Sequence, residues 1–248
     1  VLALASSPGY DPNALVDPAT ASQTWEQVTQ APGNPLINHA TQDTLPAGSI
    51  FKIITTAAGL TNGYSADSQL TGAPEITLPG TTTTLTNYGG QACADGGEVS
   101  LETAFALSCN TAFVQMAVDV GTDAFRSTAE AFGVGENHDL GLPTSPGGLG
   151  DVADDAALGQ SAIGQRDVTM SALQAAIMAA TVANDGRRME PYVVDKITGA
   201  DLRELRTADP KEVTQAVSPE VAAQLEELML ASERNTAGGR AGIASKTG

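Results

Sequence analysis

A serine hydroxyl is a poor nucleophile until a base comes within hydrogen-bond reach, and a serine and a lysine three positions apart on a helix share one face. Ser49 and Lys52, in the segment Ser49-Ile50-Phe51-Lys52, have that spacing. Pro46-Ala47-Gly48 precedes them, and Ile50, Ile53, Ile54 and Ala57 recur at helical intervals, which predicts a helix over 49–60 with Ser49 at its N-terminus. The positive end of a helix dipole favours an alkoxide or a tetrahedral oxyanion formed there. Lys52 is a base only when neutral, so its pKa must fall from about 10.4 toward roughly 7 to 8, about 4 kcal/mol of differential interaction. Burial and a second cation could supply that, and Lys246 is the obvious cation. Alone, the Ser-x-x-Lys spacing describes equally well a helix cap followed by a surface lysine.

The lysines as a set narrow this. The chain has only Lys52, Lys196, Lys211 and Lys246, and two of them fall in motifs that belong together. Lys52 closes S-I-F-K, Lys246 opens Lys246-Thr247-Gly248, and Ser108-Cys109-Asn110 lies between them in chain order. S-x-x-K, S-x-N and K-T-G together are the equipment of a serine acyl-transferase. The two histidines, His39 and His138, sit among polar and turn-forming residues and belong to no metal-ligand cluster, so they are expected at the surface, with no Ser-His-Asp triad and no metal site. Neither a P-loop nor a GxGxxG fingerprint is present, and no cofactor is indicated.

The elements that must position these residues follow from pattern. Val1 to Ala5 suggests an opening strand, and Ser7-Pro8-Gly9-Tyr10-Asp11-Pro12-Asn13 a loop. Thr61 to Gly97, rich in Thr, Gly, Asn and Pro, suggests short exposed strands or a hairpin. Helices are predicted from a Ser100 cap through Leu107, over Thr111 to Val120, Asp123 to Phe132, Thr169 to Asn184, and Ser218 to Ser232, the last with Pro219 at its first position. Pro191 to Val194 and Gly242 to Thr247 suggest strands. Strands near both ends with helices between them imply an α+β fold: an antiparallel sheet flanked by helices, with an inserted all-helical subdomain at roughly 61–185 of a single domain spanning 1–248. Both ends look cut from a longer protein, with no basic leader before Val1 and no closing turn after Gly248.

Composition excludes other classes. Twelve Lys plus Arg against 29 Asp plus Glu give a net charge of −17, which repels phosphate backbones, so nucleic acid is not an expected partner. The acidic residues are dispersed, as on a solvated surface, and no apolar stretch is long enough to span a bilayer.

With these motifs in hand, the sequence resembles the class B penicillin-binding proteins, specifically their transpeptidase domains, and the actinobacterial members most nearly. VLALASSPGYDPN is similar to the family's opening strand and loop, PLINHATQDTLPAGSIFK to its approach to the nucleophile, and SAIGQRDVTMSALQAAIMAATVANDGRRMEPYVV to its helix and strand before the last motif. The resemblance implies acylation of Ser49 by the penultimate D-Ala of a D-Ala-D-Ala stem peptide or by a β-lactam ring. Lys52 would take the Ser49 proton, Ser108 would pass a proton to the leaving group, and Asn110 would bond the substrate amide and orient Lys52. Lys246, Thr247 and Gly248 would bind the substrate carboxylate. The family's oxyanion hole also uses the residue after K-T-G, which lies beyond this sequence, and Ile50 stands where a small residue is usual.

The resemblance further implies peptidoglycan stem peptides and β-lactam antibiotics as ligands, with division or elongation proteins and a glycosyltransferase as partners. It places the domain at the extracytoplasmic face of the bacterial membrane through an N-terminal anchor, with a further strand and helix after Gly248. A D,D-carboxypeptidase, a serine β-lactamase and a β-lactam sensor domain share the motifs, although the spans from Ser49 to Ser108 and to Lys246 leave a longer insert than β-lactamases carry. In an exported domain the only cysteines, Cys93 and Cys109, are expected to pair. The alternative is a free thiol at Cys93 and a small buried residue at Cys109.

Overall fold

The computed structural model describes residues 1–247. In chain order the elements are α1 (Asn13–Val16), α2 (Ala21–Gln30), β1 (Leu45–Pro46), α3 (Lys52–Thr61), β2 (Gln69–Thr71), β3 (Glu75–Thr77), β4 (Thr84–Thr86), β5 (Glu98–Ser100), α4 (Leu101–Ala106), α5 (Asn110–Val120), α6 (Thr122–Ala131), α7 (Asp155–Ser161), β6 (Thr169–Met170), α8 (Ala172–Ala183), β7 (Arg187–Met189), β8 (Lys196–Thr198), β9 (Glu204–Thr207), β10 (Glu212–Gln215) and α9 (Pro219–Asn235). The strands form antiparallel pairs, β1 with β6, β2 with β5, β3 with β4, β7 with β10 and β8 with β9, so the class is α+β. Among the described residues no helix is long and apolar enough to cross a membrane.

α3 is the hub. Every residue from Lys52 to Leu60 is buried, a helix enclosed on all sides by α5, α6 and α9. Its threonines are compatible with that burial because their hydroxyls find acceptors: Thr56 Oγ1 donates to Lys52 O at 2.7 Å, and Thr55 Oγ1 donates to Ala162 O at 2.7 Å. Gly59 lets α5 approach, since a Cβ there would lie 2.6 Å from Met116 Sδ. The Phe51 and Phe125 rings, 5.8 Å apart and tilted, join the start of α3 to α6.

Three of the expected helices begin at a side-chain cap. Ser100 accepts from Thr103 N, Ser218 accepts from Val221 N with Pro219 behind it, and Ser171 with Gln174 makes a reciprocal capping box that starts α8. That box corrects the helix start predicted at Thr169: Thr169 and Met170 are strand β6, and the helix begins after Ser171. Two helices, α2 and α7, carry no apolar stripe long enough to announce them, and α7 is recognisable only by the Asp154 cap on Ala157 N. The 61–97 stretch holds strands β2, β3 and β4, with β3 and β4 as a hairpin in register Ile76 to Leu85, so the expected all-helical segment at 61–185 is instead mixed, its Thr- and Gly-rich start forming strands.

Three strand expectations need correction. Val1 to Ala5 and Gly242 to Thr247 enter no ladder among the described residues: Val1 N bonds Tyr192 O at 2.6 Å and Ser245 N bonds Met229 O at 3.2 Å, but single bonds do not make the repeating pattern of a strand pair. Pro191 to Val194 also lies outside any ladder: Glu190 N still bonds Lys211 O at 2.8 Å, but Pro191 has no N–H to continue. The true strands, β7 and β8, flank it. His138 is not at the surface either. It is only 7% exposed, its Nε2 has no partner, and burial pushes its pKa below the usual imidazole value.

Candidate active site

Two backbone segments meet at the site. The first is the turn that carries Ser49. Ala47 N donates to Val168 O at 3.3 Å and Gly48 N to Gly164 O at 2.9 Å, which pin the turn to the 162–168 segment. Gly48 has φ +57°, and Gly164 approaches it so closely that a Cβ would lie 2.0 Å from Gly48 O. Ser49 then falls in a 3₁₀ turn, Gly48–Phe51, with α3 starting at Lys52. The helix predicted from residue 49 is thus two helical types in series. Residues three apart eclipse in 3₁₀ geometry, so the turn keeps Ser49 and Lys52 on one side.

The second segment is the turn between α4 and α5. Ser108 sits in the left-handed region at φ +60°, held there by Ser108 N to Phe105 O at 3.2 Å and Cys109 N to Ala104 O at 2.9 Å. A non-glycine residue at that φ costs about 1–2 kcal/mol, which the surrounding bonds must offset. Cys109 is disulfide-bonded to Cys93, with Cα atoms 5.8 Å apart. The pair locks the turn to the loop that precedes β5.

The two segments are joined by Lys52. Its Nζ lies 2.8 Å from Ser108 O, 3.1 Å from Ser108 Oγ and 2.7 Å from Asn110 Oδ1, and the side chain is fully buried. No hydrogen bond joins Lys52 Nζ directly to Ser49 Oγ. Lys246 completes the cluster, its Nζ 2.9 Å from Ser108 Oγ, 3.0 Å from Thr247 O and 3.4 Å from Thr247 Oγ1. The rings of Phe113 and Phe105 lie 5.2 Å from Lys52 Nζ and 5.7 Å from Lys246 Nζ, an apolar lining that still attracts a cation.

These surroundings decide the protonation states. Burial, and secondly the charge of Lys246, lower the Lys52 pKa to about 6. Burial lowers that of Lys246 to about 8. At neutral pH Lys52 is therefore largely a free amine with a lone pair, while Lys246 remains largely an ammonium. A neutral amine has two protons, enough for Ser108 O and Asn110 Oδ1, and its lone pair is left to accept one.

Ser49, Ser108, Asn110 and Thr247 line one cleft of about 620 Å³, together with Asn87, Tyr88, Gln165 and the Cys93–Cys109 bridge. The structure brings together all the sequence-predicted site residues except Gly248, which lies outside the described residues. Sequence reasoning missed Gly164 and Asn87. Nothing in the chain marks Gly164, whose closeness to Gly48 exists only in the fold. Asn87 stands at the end of β4 in a stretch that reads only as a loop. Among the described residues no cluster of His, Cys, Asp and Glu is arranged to hold a metal ion.

This arrangement suits acyl transfer, and known proteins match it. The family model for the penicillin binding protein transpeptidase domain matches residues 1–248. The chain is 48% identical over its whole length to the peptidoglycan D,D-transpeptidase PbpA of Mycolicibacterium smegmatis and 47% identical to that of Mycobacterium tuberculosis, covering 52% of each. It thus spans about half the length of the curated relatives it matches. Among solved structures it superimposes on the imipenem acyl-enzyme complex of penicillin-binding protein A from M. tuberculosis with a TM-score of 0.92 at 45% identity, covering 97% of this chain and 57% of that one. The penicillin G acyl-enzyme complex of the same protein gives a TM-score of 0.90 at 46% identity, covering 94% and 54%. By motif order, by cleft geometry and by these likenesses, the chain belongs to the penicillin-binding protein transpeptidase domain family.

Proposed function

We propose that this chain is the transpeptidase domain of a peptidoglycan D,D-transpeptidase and is acylated on Ser49. The observation that carries the reading is the buried Lys52 side chain held between Ser108 and Asn110, which line one cleft with Ser49. In the first step Lys52 takes the Ser49 proton as Oγ attacks the penultimate D-Ala carbonyl carbon of a stem peptide. The scissile C–N bond then breaks, Ser108 passes a proton from Lys52 to the leaving D-Ala amine, and the ester to Ser49 remains. Lys246 and Thr247 hold the terminal carboxylate, while Asn110 bonds the substrate amide. In the second step the amine of another stem peptide attacks the ester carbonyl, the C–O bond to Ser49 breaks, and the amine's proton passes through Lys52 to Ser49 Oγ, which leaves the cross-linked amide and the free hydroxyl. A β-lactam follows the first step only, because its amine stays tethered.

The chain serves as one domain, with the 61–185 segment inserted to carry the Ser108 turn. The reading extends to an N-terminal membrane anchor, an extracytoplasmic location, and division or elongation partners including a glycosyltransferase. Fluorescent penicillin followed by intact-mass spectrometry tests the core of it. Wild type gains one penicillin mass per chain and Ser49→Ala gains none; a Ser49→Ala variant that still gains that mass overturns the assignment. With a D-Ala-D-Ala peptide and an acceptor amine, the expected product is the cross-linked peptide, and hydrolysis alone would mark a carboxypeptidase.

A further inference from the structure

Asn110 Oδ1 makes the shortest contact to Lys52 Nζ, so whatever fixes Asn110 fixes the base. The Asn110 amide is itself held, since its Nδ2 donates to Thr86 O at 3.0 Å. The next residue, Asn87, is 8% exposed and every one of its polar groups is bonded. Its Nδ2 donates to Ala73 O at 3.0 Å and to Gln91 O at 3.1 Å, and its Oδ1 accepts from Thr111 N at 3.1 Å. Its backbone N donates to Pro74 O at 3.0 Å, and its carbonyl accepts from Gly90 N at 2.9 Å.

Two consequences meet here. α5 begins at Asn110, and its natural N-cap, Cys109, offers no side-chain bond to the first-turn amides. Asn87 supplies that cap from a distant segment, satisfying an N–H that would otherwise be unpaired and buried. Asn87 also fixes the carbonyl of its neighbour Thr86, which is the acceptor for Asn110 Nδ2. One buried residue thus holds the peptide that follows Asn110, at Thr111 N, and sits next to the Thr86 carbonyl that holds the Asn110 side chain.

We propose that Asn87 is a positioning residue for acylation: it acts through Asn110 to hold the general base Lys52 in reach of the nucleophile. The inference rests on the acylation reading above. Two variants separate its parts. Asn87→Asp keeps an acceptor for Thr111 N but faces the Ala73 and Gln91 carbonyls with oxygen, and Asn87→Ala removes both functions.

The test is stopped-flow acylation by a chromogenic β-lactam on the whole protein that carries this chain, separating noncovalent affinity from the rate of the covalent step. Burst amplitude gives the fraction of competent sites. In both variants the covalent rate per competent site should fall about 10- to 100-fold, while noncovalent affinity stays within about threefold. A purely structural role would lower the competent fraction and leave the rate per site at the wild-type value, and that result overturns the proposal. Failure of both variants to yield folded protein also overturns it, because Asn87 would then be a folding residue. Ser49→Ala in parallel keeps the two readings apart: residual labelling there rejects Ser49 as nucleophile, whereas its loss alongside wild-type covalent rates in the Asn87 variants rejects only the positioning role.

Discussion

Ser108 Oγ lies within 3.1 Å of both site lysines, so three residues share one exchangeable network whose charge is set by burial. A free Lys52 amine requires pH above about 6, and a charged Lys246 requires pH below about 8. The acylation rate should therefore rise through about pH 6, plateau, and fall through about pH 8, a bell read directly from β-lactam acylation kinetics. A rate that climbs without a break to pH 10 would show that Lys52 is not the base or that its amine is not desolvated. The same shift acts on stability. The unfolded chain holds the Lys52 proton up to the ordinary lysine value of 10.5 and the folded chain only to about 6, so this residue's contribution to stability grows as pH rises across that window. At this scale the sequence was informative where chemistry is local: Ser49 and Lys52 are three apart, and Lys246-Thr247 is contiguous. Asn87 was not legible, because its partners Ala73, Gln91 and Thr111 are joined only by the fold.

Among the elements, α3 is rigid by enclosure and the Ser49 turn by contact with a neighbouring loop. Gly164 is the point of that contact, with φ +71° and no space for a side chain against Gly48. Gly164→Ala must move either the Gly48 backbone or the 162–168 loop, and it places a β-carbon in a left-handed conformation. We expect a loss of about 3 kcal/mol, which lowers Tm by about 6–12 °C. The acylation rate should also fall about 100-fold, since Ser49 follows Gly48 directly. Calorimetry and penicillin labelling of the same preparation check both, and unchanged labelling in a destabilised variant would detach the loop from the nucleophile. Helices with a recurring apolar stripe were legible whether capped locally, as in α8 and α9, or not, as in α5, whereas α7 was missed in spite of its Asp154 cap. Strands were legible where turn residues set off a local hairpin, as with β3 and β4, but not elsewhere, because a pattern of apolar residues does not reveal whether a distant partner strand exists, which is why Pro191 to Val194 was misplaced.

For the whole molecule, composition gave an acidic surface and little else about function, and the decisive information was the order of three motifs along the chain. The Cys93–Cys109 bridge ties that order to stability. It spans a sequence separation of 16, and removing such a cross-link frees the unfolded chain by about 3 kcal/mol in the chain-entropy account. Denatured, unreduced protein should titrate with no free thiols. Cys93→Ser, or reduction of the folded protein, should slow acylation of Ser49 about tenfold at temperatures far below melting, because Cys109 lies between Ser108 and Asn110. If acylation of the reduced, folded protein matches the oxidised form, the bridge supports the fold alone. If Ser49 is acylated as proposed, a site braced in this way carries a pharmacological consequence: a thiol reductant would work against a penicillin on this protein. A reducing milieu would protect the target from the drug with no substitution in the cleft, and an oxidant would restore susceptibility.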